Sequence, residues 1–472
     1  MKVGMISLGC PKNLVDSEVM LGLSEQAGHQ LTPNAADADV VIVNTCAFID
    51  RAKKESVDTI LEAAELKKSG ACRRLIVTGC LAERYRDELR EQIPEIDAIL
   101  GTGEVPRIVE ALSSAESVGS VSLSSESVGS VSPLHFHRNP RTNGHLPLNG
   151  RDALPDYLYD ADTPRLLSTP KHYAYLKVAE GCDYKCAFCI IPRLRGPYRS
   201  RPADSIVREA RALAARGVRE LILISQDSTF YGIDRGERDG LAALLRALNQ
   251  VDGLEWIRVL YLYPTTVSGA VIDAIGSCDK VVKYIDLPLQ HASDPVLKRM
   301  RRPGTRSTYE RLLQQIRSRI PDVALRSTFI VGFPGETDAD VDELSAFIHT
   351  VGFDHLGVFT YSHEEGTAAG ELDDDVPGPV KRERRERLMR EQKRLVRSNH
   401  KQRIGTRVRV LIDGPSSDHE WVLRGRLSTQ APEIDPQVFL TECDPAQLAT
   451  GSIVDAEIVA ARDYDLVARP LL

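Results

Sequence analysis

The run Cys182-Asp-Tyr-Lys-Cys186-Ala-Phe-Cys189 decides the fold of this 472-residue chain, because it directly follows an apolar strand predicted at 173–178. Three thiolates in one short loop suit a soft metal or an iron–sulfur cluster. Structural zinc is the alternative, but it normally takes four ligands with paired Cys-x-x-Cys spacing. No fourth Cys or His lies close to this run in the sequence. A 4Fe-4S cluster with three protein thiolates keeps one iron open, so the run indicates metal chemistry at a strand end.

Outward from this loop, short apolar runs alternate with amphipathic helical patterns. Six strand–helix units in this region predict a partial (β/α)6 TIM-like barrel with its site at the C-terminal strand ends. The predicted strands are 173–178, 220–225, 256–261, 283–287, 324–331 and 355–360, and the helices between them include 204–216, 240–251, 308–319 and 338–350. A charged helix at 381–401 follows. The last 71 residues read as short strands with turns, which predicts a small β-barrel.

The N-terminal region also alternates strands and helices, which predicts an open parallel α/β sheet. Cys10, Cys46 and Cys80 each come just after an apolar strand. Ligand sites of open parallel sheets lie at these carboxyl ends, and neighbouring strands are only about 4.8 Å apart. Three unrelated buried thiols are the alternative, since free Cys is commonly buried. The repeated position after a strand favours a second cluster with three ligands.

Between these regions the composition changes abruptly. Half of residues 113–132 are Ser, and the letters ESVGSVS occur at 116–122 and again at 126–132. Such small polar residues cannot form an apolar face that packs against a core, so the segment is interpreted as a flexible linker. The predicted division is 1–112 for the N-terminal domain, 113–167 for the linker, 168–401 for the barrel with its charged helix, and 402–472 for the β-module.

The spacing Cys-x-x-x-Cys-x-x-Cys, with Phe188 before the last Cys, resembles the radical S-adenosylmethionine superfamily. The resemblance implies that the open iron chelates the amino and carboxylate groups of S-adenosylmethionine. One electron from the cluster then cleaves the sulfonium to a deoxyadenosyl radical. It also implies that Cys182, Cys186 and Cys189 are catalytic.

The run Gly9-Cys10-Pro-Lys-Asn-Leu-Val-Asp-Ser-Glu18, with Asn44-Thr-Cys46 and Thr78-Gly-Cys80, resembles the methylthiotransferase family. Its members join such an N-terminal domain to a radical S-adenosylmethionine barrel and a TRAM β-module. The resemblance implies two 4Fe-4S clusters, the auxiliary one held by the three N-terminal cysteines. One S-adenosylmethionine then methylates a sulfur species, and a second supplies the radical that activates a C–H bond.

The same run is most similar to members that methylthiolate the β-carbon of an aspartate in ribosomal protein S-twelve, taken free or within the small ribosomal subunit. An electron donor such as flavodoxin or ferredoxin is implied as a further partner. Two alternatives stay open: a tRNA adenosine methylthiotransferase and a non-catalytic iron–sulfur electron carrier. The carrier is disfavoured, because electron-transfer clusters are usually held by four thiolates.

Several residues at strand ends are candidates for contacts with S-adenosylmethionine, although a turn or a strand cap is the alternative for each. His291, Ser327 and Glu336 lie close to these candidates in the sequence. Cys72, Cys278 and Cys443 stand in no motif and are interpreted as ordinary thiols. The predicted cofactor-binding residues are Phe188, Gln226, Asp227, Gln290, Arg326 and Gly332.

Charge distinguishes the two macromolecular substrates. The formal net charge is −7, and residues 402–472 hold seven Arg, no Lys and eleven Asp or Glu, which gives 7 − 11 = −4. An acidic surface repels phosphate and attracts a basic ribosomal protein. The helix at 381–401, with 10 − 3 = +7, is interpreted as a solvated connection, with contact to ribosomal RNA as the alternative.

Composition also bears on location. No stretch approaches the roughly 20 apolar residues that span a bilayer, so no membrane partner is expected. The nine cysteines come without an export signal, which favours metal ligation in a reducing compartment. The sequence therefore predicts a cytoplasmic enzyme.

Overall fold

The computed structural model describes residues 1–70, 72–113, 154–416 and 422–471. They form two units. Unit 1 comprises Met1–Leu166 and Ile190–Pro197, and unit 2 comprises Leu167–Cys189 and Tyr198–Leu472. The segment Ile190–Pro197 thus belongs to unit 1 although unit 2 flanks it in the sequence. The predicted linker falls mostly on residues 114–153, which lie outside the described residues, and the predicted four-part division stays a prediction.

Unit 1 is built on a parallel sheet of five strands in the order β2-β1-β3-β4-β5. The central strand Val40–Thr45, sequence VVIVNT, is buried along its whole length, as expected for a β-branched run covered by helices on both faces. The strands are β1 Lys2–Ser7, β2 Gln30–Thr32, β3 Val40–Thr45, β4 Arg74–Gly79 and β5 Ala98–Leu100. The helices are α1 Pro11–Gln26, α2 Asp50–Lys68, α3 Cys80–Arg84, α4 Arg86–Gln92, α5 Ile108–Ser113 and α6 Ile191–Arg195. An open parallel α/β sheet is thereby confirmed.

Helix α6 joins unit 1 through an apolar face. Leu194 is fully buried and Ile190 nearly so, and both pack in the core of unit 1 with Leu81 and Ala82 of α3. The hydroxyl of Thr102 also donates to the Leu194 carbonyl at 2.5 Å. This short helix is therefore fixed against the sheet by burial and by a hydrogen bond.

In unit 2, six parallel strands succeed one another in chain order, as the sequence predicts. They form the three-stranded sheets β10-β9-β6 and β11-β12-β13, and a parallel bridge between Ile257 and Val281 lies between the two. The bounds are β6 Tyr173–Lys177, β9 Glu220–Ile224, β10 Trp256–Val259, β11 Tyr284–Asp286, β12 Ala324–Val331 and β13 His355–Thr360, with a β-hairpin of β7 Ala179–Glu180 and β8 Arg199–Ser200.

The helices of unit 2 pack their apolar sides on these strands. Helix α12 illustrates the local signals, since Thr337 and Asp340 form a capping box at its start and Gly352 ends it with φ +62. The bounds are α7 Ala203–Ala215, α8 Gly240–Leu248, α9 Gly269–Ser277, α10 Asp294–Arg299, α11 Arg306–Arg319, α12 Asp338–Val351 and α13 Gly378–Arg403. The partial barrel is confirmed, and α13 is the predicted charged helix.

The C-terminal strands close into a five-stranded barrel in the order β14-β15-β16-β18-β17. The strands are β14 Arg407–Pro415, β15 Leu423–Leu427, β16 Val438–Leu440, β17 Ile453–Arg462 and β18 Asp465–Pro470. Their inward residues form a separate small core. The predicted small β-barrel is thus confirmed. Across the described ranges, the helices are too short or too polar for a membrane span.

Candidate functional site

The first candidate site lies at the carboxyl ends of three adjacent strands in unit 1. Cys10 is the N-cap of α1 after β1, Cys46 follows β3, and Cys80 begins α3 after β4. Because β1, β3 and β4 are neighbours in the sheet, the three thiols share one edge, as predicted. Burial raises the pKa of Cys46 to about 11 and that of Cys80 to about 12. These thiols therefore hold their protons at neutral pH until a metal displaces them.

Asn13, in the first turn of α1, ties the cysteine segments together. Its amide donates to the carbonyls of Leu8 and Thr45 at 3.1 and 2.8 Å, and its Oδ1 lies 3.7 Å from the Sγ of Cys80. The side chain is almost fully buried. Asn13 stands in the run that resembles the methylthiotransferase family, so the structure gives a physical reason for a polar residue at this position.

The other polar residues of that run are also buried and paired. Ser17 donates to the hydroxyl of Ser7, and the Asn44 amide donates to Ser17, both at 2.8 Å. Glu18 accepts from Arg165 at 2.6 Å. Charged and polar groups in a core are tolerated when they are paired in this way. The run thus fixes α1, and with it Cys10, against the sheet edge.

Gly9 leaves no space for a side chain at this edge, which gives a first prediction. It has φ +89, and a Cβ there would lie 2.8 Å from the Cβ and 3.1 Å from the Sγ of Cys46. Gly9→Ala should therefore displace Cys46 and lower the iron per chain by the content of one cluster, measured by iron and sulfide analysis after anaerobic reconstitution. Gly28→Ala is the matched control, since its φ is +84 and a Cβ would meet nothing within 4 Å.

The control should lose only about 1–2 kcal/mol of stability to backbone strain and keep its iron. Full iron in the Gly9→Ala protein would show that Cys46 is not held in place by this contact.

The second candidate site is the loop that follows β6 and β7 in unit 2. Cys182, Cys186 and Cys189 all lie in it and are partly exposed. The backbone N–H of Cys189 donates to the carbonyl of Cys186 at 3.1 Å, and that of Ala187 donates to Met300 at 2.8 Å. Burial raises the pKa of Cys182 to about 12. The loop is therefore anchored on the barrel at the place the sequence predicts.

Arg302 and Tyr263, which the sequence did not single out, surround Cys186 together with Tyr184. Arg302 donates to the Cys186 Sγ at 3.7 Å, and its guanidinium lies 3.9 Å from the ring centre of Tyr263. The Tyr263 hydroxyl lies 3.9 Å from the same sulfur, and Tyr184 stacks on Tyr263 with centroids 3.8 Å apart. Tyr184 thus covers the loop by packing on another ring.

A buried polar group lies at the carboxyl ends of β6 and β9. The Lys177 ammonium pairs with the Glu180 carboxylate at 2.5 Å, and the predicted cofactor residue Gln226 donates to the other Glu180 oxygen. Lys177 and Glu180 are almost fully buried. Sequence analysis missed both, although charged residues at the end of an apolar strand were a usable signal.

Asp227 and Phe188 take packing roles in the structure. Asp227 caps a short 3-10 helix by accepting from the backbone N–H of Thr229 at 2.8 Å. Burial raises the Asp227 pKa, against hydrogen bonds from Thr229 and Tyr184 that lower it. Phe188 packs against a small core that contains Met300 and Phe333. Both residues remain near the second candidate site, and their contact with a cofactor stays a prediction.

Gln290 and Gly332 occupy special backbone positions. Gln290 has φ +76, and its backbone bridges to β12 beside Phe329. Gly332 has φ +75, and a Cβ there would lie 2.3 Å from the Cγ of Lys381. Glu336 closes this turn by accepting from the Gly332 N–H at 2.7 Å. A side chain is thus excluded at Gly332 for packing reasons, and its role toward a cofactor also stays a prediction.

Arg326, another predicted cofactor-binding residue, forms ion pairs within unit 2. It lies in the first half of β12, away from the carboxyl end, and its guanidinium pairs with Asp286 at 2.9 Å and with Asp435 of the C-terminal module at 3.2 Å. The Arg326 guanidinium is therefore paired with two carboxylates. Ser327 likewise donates to the Leu287 carbonyl at 2.9 Å, and contact of Arg326 or Ser327 with a cofactor stays a prediction.

The remaining thiols behave as ordinary cysteines. Cys278 is buried in the main core of unit 2, and the Sγ of Cys72 donates to the Arg74 carbonyl at 3.0 Å. Cys443 packs at the edge of the core of the C-terminal module. The predictions for all three agree with these positions.

The donor sets fit iron–sulfur clusters better than single ions. Each set supplies three cysteines on segments fixed by hydrogen bonds. Within the described ranges, no three His, Cys, Asp or Glu side chains converge on one single-ion position. In a cluster each thiolate binds a different iron, so the three sulfur atoms need not lie as close together as the ligands of a single ion. Soft thiolates are the ligands that such clusters take.

Family models match all three regions of the chain. Residues 2–101 match the Uncharacterized protein family UPF0004, residues 176–348 the Radical SAM superfamily, and residues 404–471 the TRAM domain. These ranges correspond to the sheet of unit 1, the partial barrel and the closed C-terminal barrel.

Curated relatives match nearly the whole chain. The ribosomal protein uS12 methylthiotransferase RimO of Koribacter versatilis is 46% identical over 485 aligned residues, covering 100% of this chain and 96% of the relative. The protein of the same name from Geotalea uraniireducens is 47% identical and covers 99% of this chain and 97% of the relative.

A solved structure supports the fold. The radical S-adenosylmethionine methyltransferase TsrM of Kitasatospora setae, solved with cobalamin and a 4Fe-4S cluster, superposes with a TM-score of 0.54 at 15% identity. The match covers 78% of this chain and 74% of TsrM. At this identity the similarity concerns the fold alone.

Proposed function

The chain belongs to the family of ribosomal protein uS12 methylthiotransferases, and from this premise we propose that it methylthiolates the β-carbon of an aspartate in uS12, the S-twelve protein of the small ribosomal subunit. It is a radical S-adenosylmethionine enzyme with two 4Fe-4S clusters. The observation that supports this function best is the presence of two separate sets of three cysteines, one at the carboxyl ends of three parallel strands and one in the single loop that follows β6 and β7.

We assign Cys182, Cys186 and Cys189 to the radical-generating cluster and Cys10, Cys46 and Cys80 to the auxiliary cluster. When bound, the clusters and S-adenosylmethionine supply the radical and the methylthio group. The chain itself must hold the thiolates in place, bury them from water and bind the cofactor. In unit 1, Asn13 and the backbone of α1 hold the thiolates in place. In unit 2, Arg302 does so.

Gln226, Asp227, Gln290, Phe188 and Gly332 remain candidates for contact with S-adenosylmethionine. Lys177 and Glu180 join them, because they share a hydrogen-bonded group with Gln226. A low-potential electron donor such as flavodoxin or ferredoxin is part of the proposal. So is a cytoplasmic location, where ribosomal proteins are made and assembled.

The charges of the C-terminal half favour a protein substrate over tRNA. Five of the eleven basic side chains of α13 pair with carboxylates outside the helix in the same unit, which lowers the positive charge that the helix presents. The residues 402–472 are net acidic, which disfavours phosphate. The pairs are Lys381–Asp374, Arg384–Glu336, Arg387–Asp342, Lys393–Asp463 and Arg397–Asp463.

The substrate is tested by mass spectrometry of uS12 from cells with and without the gene. The deletion strain should yield uS12 that is lighter by one CH2S unit, and a plasmid copy of the wild-type gene should restore the mass. A plasmid copy with Cys186→Ala is the matched negative control. Methylthioadenosine in bulk tRNA should not change between the strains.

An unchanged uS12 mass combined with loss of methylthioadenosine would identify the tRNA enzyme instead. Purified uS12 and purified small subunits, each incubated with the reconstituted enzyme, a reductant and S-adenosylmethionine, then distinguish the free protein from the assembled particle as the substrate.

A further inference from the structure

A buried arginine from the segment after Cys189 reaches the cysteine set of unit 1, and we propose that this residue, Arg195, is a positioning residue that raises the reduction potential of the auxiliary cluster. The inference rests on the proposed function, because it requires a cluster on Cys10, Cys46 and Cys80. It adds a residue that the cysteine pattern does not contain.

The contacts of Arg195 define its position closely. One terminal nitrogen donates to the Asp16 carboxylate at 2.8 Å, and the other donates to the Asn13 Oδ1 and to the Cys80 Sγ, the latter at 3.7 Å. The side chain is 3% exposed. Asp16 and Asn13 both belong to α1, so the helix that presents Cys10 also aims the guanidinium at Cys80.

The charge of this group is permanent. A guanidinium does not lose its proton in proteins, and a charge in a buried, low-dielectric site acts more strongly than one in water. Reduction adds one electron, and thus one negative charge, to a cluster. A positive charge next to one of its thiolates stabilises that reduced form, so loss of Arg195 should make reduction harder. Hydrogen bonds to cluster sulfurs act in the same direction.

Asp16 opposes this effect. Its carboxylate accepts from the terminal nitrogen that does not contact the sulfur, and it neutralises part of the positive charge. Removal of the Asp16 charge should therefore shift the potential in the opposite direction from removal of Arg195. Two opposite shifts from two partners of one ion pair are hard to explain by a general loosening of the fold.

The test is a potentiometric titration of the auxiliary cluster, followed by electron paramagnetic resonance. The full chain with Cys182, Cys186 and Cys189 replaced by Ala keeps only this cluster and provides the background, and dithionite is the reductant. Arg195→Gln should shift the midpoint to a more negative value. Arg195→Lys, which keeps the charge, should stay near the parent value, and Asp16→Asn should shift it to a more positive value.

Arg165→Gln is the matched control. Arg165 is another buried arginine that pairs with α1, but its partner there is Glu18 rather than Asp16. This variant should lose stability as Arg195→Gln does and leave the midpoint unchanged. Unchanged midpoints in both Arg195→Gln and Asp16→Asn at full iron content would overturn the inference while leaving the proposed function intact.

Equal shifts in Arg195→Lys and Arg195→Gln would also overturn it, because they would assign the effect to geometry rather than charge. Should Arg195→Gln fail to fold, Asp16→Asn alone decides, and the absence of a positive shift counts against the inference. A parent chain that binds no cluster at all would instead contradict the proposed function.

Discussion

The Cys186→Ala enzyme is expected to bind one cluster instead of two and to release no 5′-deoxyadenosine from S-adenosylmethionine. Cys186 supplies one of only three thiolates in its loop and receives the hydrogen bond from Arg302. A cluster that loses one of three protein ligands has too few left to be held, so the loss should be complete rather than partial. Methylthiolation of uS12 should vanish with it. Iron and sulfide analysis and chromatography of the cleavage products provide the measurements.

The Cys80→Ala enzyme should lose the same amount of iron but still release 5′-deoxyadenosine. Cys80 belongs to unit 1, and the six ligands are assigned to two independent sets. Methylthiolation should nevertheless be abolished, because the auxiliary cluster is assigned to the sulfur chemistry. The contrast between the two variants therefore separates radical generation from sulfur transfer.

Cys278→Ala and Cys72→Ala are the controls, since both thiols are buried in the cores and belong to neither set. They should retain both clusters and both activities. Loss of S-adenosylmethionine cleavage in Cys80→Ala, at full occupancy of the second set, would show that the two sets do not work independently.

Local patterns predicted most of the scaffold of these sites. The strands at 324–331 and 355–360 have the predicted bounds, and the three cysteines of unit 1 follow adjacent strands. These features depend on apolar periodicity and on the rule that parallel strands end at one edge. Both signals are contained in a few neighbouring residues, so a single sequence reveals them.

Contacts between distant segments were not predictable in this way. Arg195 lies 115 residues from Cys80, and nothing in the segment after Cys189 indicates that it packs in unit 1. Arg326 stands on a barrel strand, but its partner Asp435 comes from a different module 109 residues away. A side-chain pair of this kind is set by tertiary packing, which single-sequence patterns do not encode.

The same module supplies an arginine to a buried ion-pair network at the amino ends of the barrel strands. Glu220, the first residue of β9, accepts from Arg258 of β10 at 2.8 Å and pairs with Arg426 of β15 at 2.7 Å. Arg426 also pairs with Asp413 of β14 at 2.8 Å, and Asp413 lies 2.8 Å from His172. Glu220 and Arg258 are fully buried. The Glu220 carboxylate thus faces two buried guanidinium groups, and Asp413 shares the compensation of Arg426.

Glu220→Gln should therefore destabilise unit 2 by about 3–5 kcal/mol, because removing one partner of a buried ion pair leaves an uncompensated buried charge. The amide has nearly the shape of the carboxylate, so the change tests charge rather than packing. Urea unfolding of the metal-free chain, followed by tryptophan fluorescence to which the buried Trp256 of the neighbouring strand β10 contributes, measures it. Glu255→Gln is the matched control, since Glu255 faces Arg219 across an exposed 3.5 Å pair and should cost at most about 1 kcal/mol. Equal losses of stability in the two variants would show that the buried network does not hold the C-terminal module on the barrel. The apolar contacts around the network would then hold it.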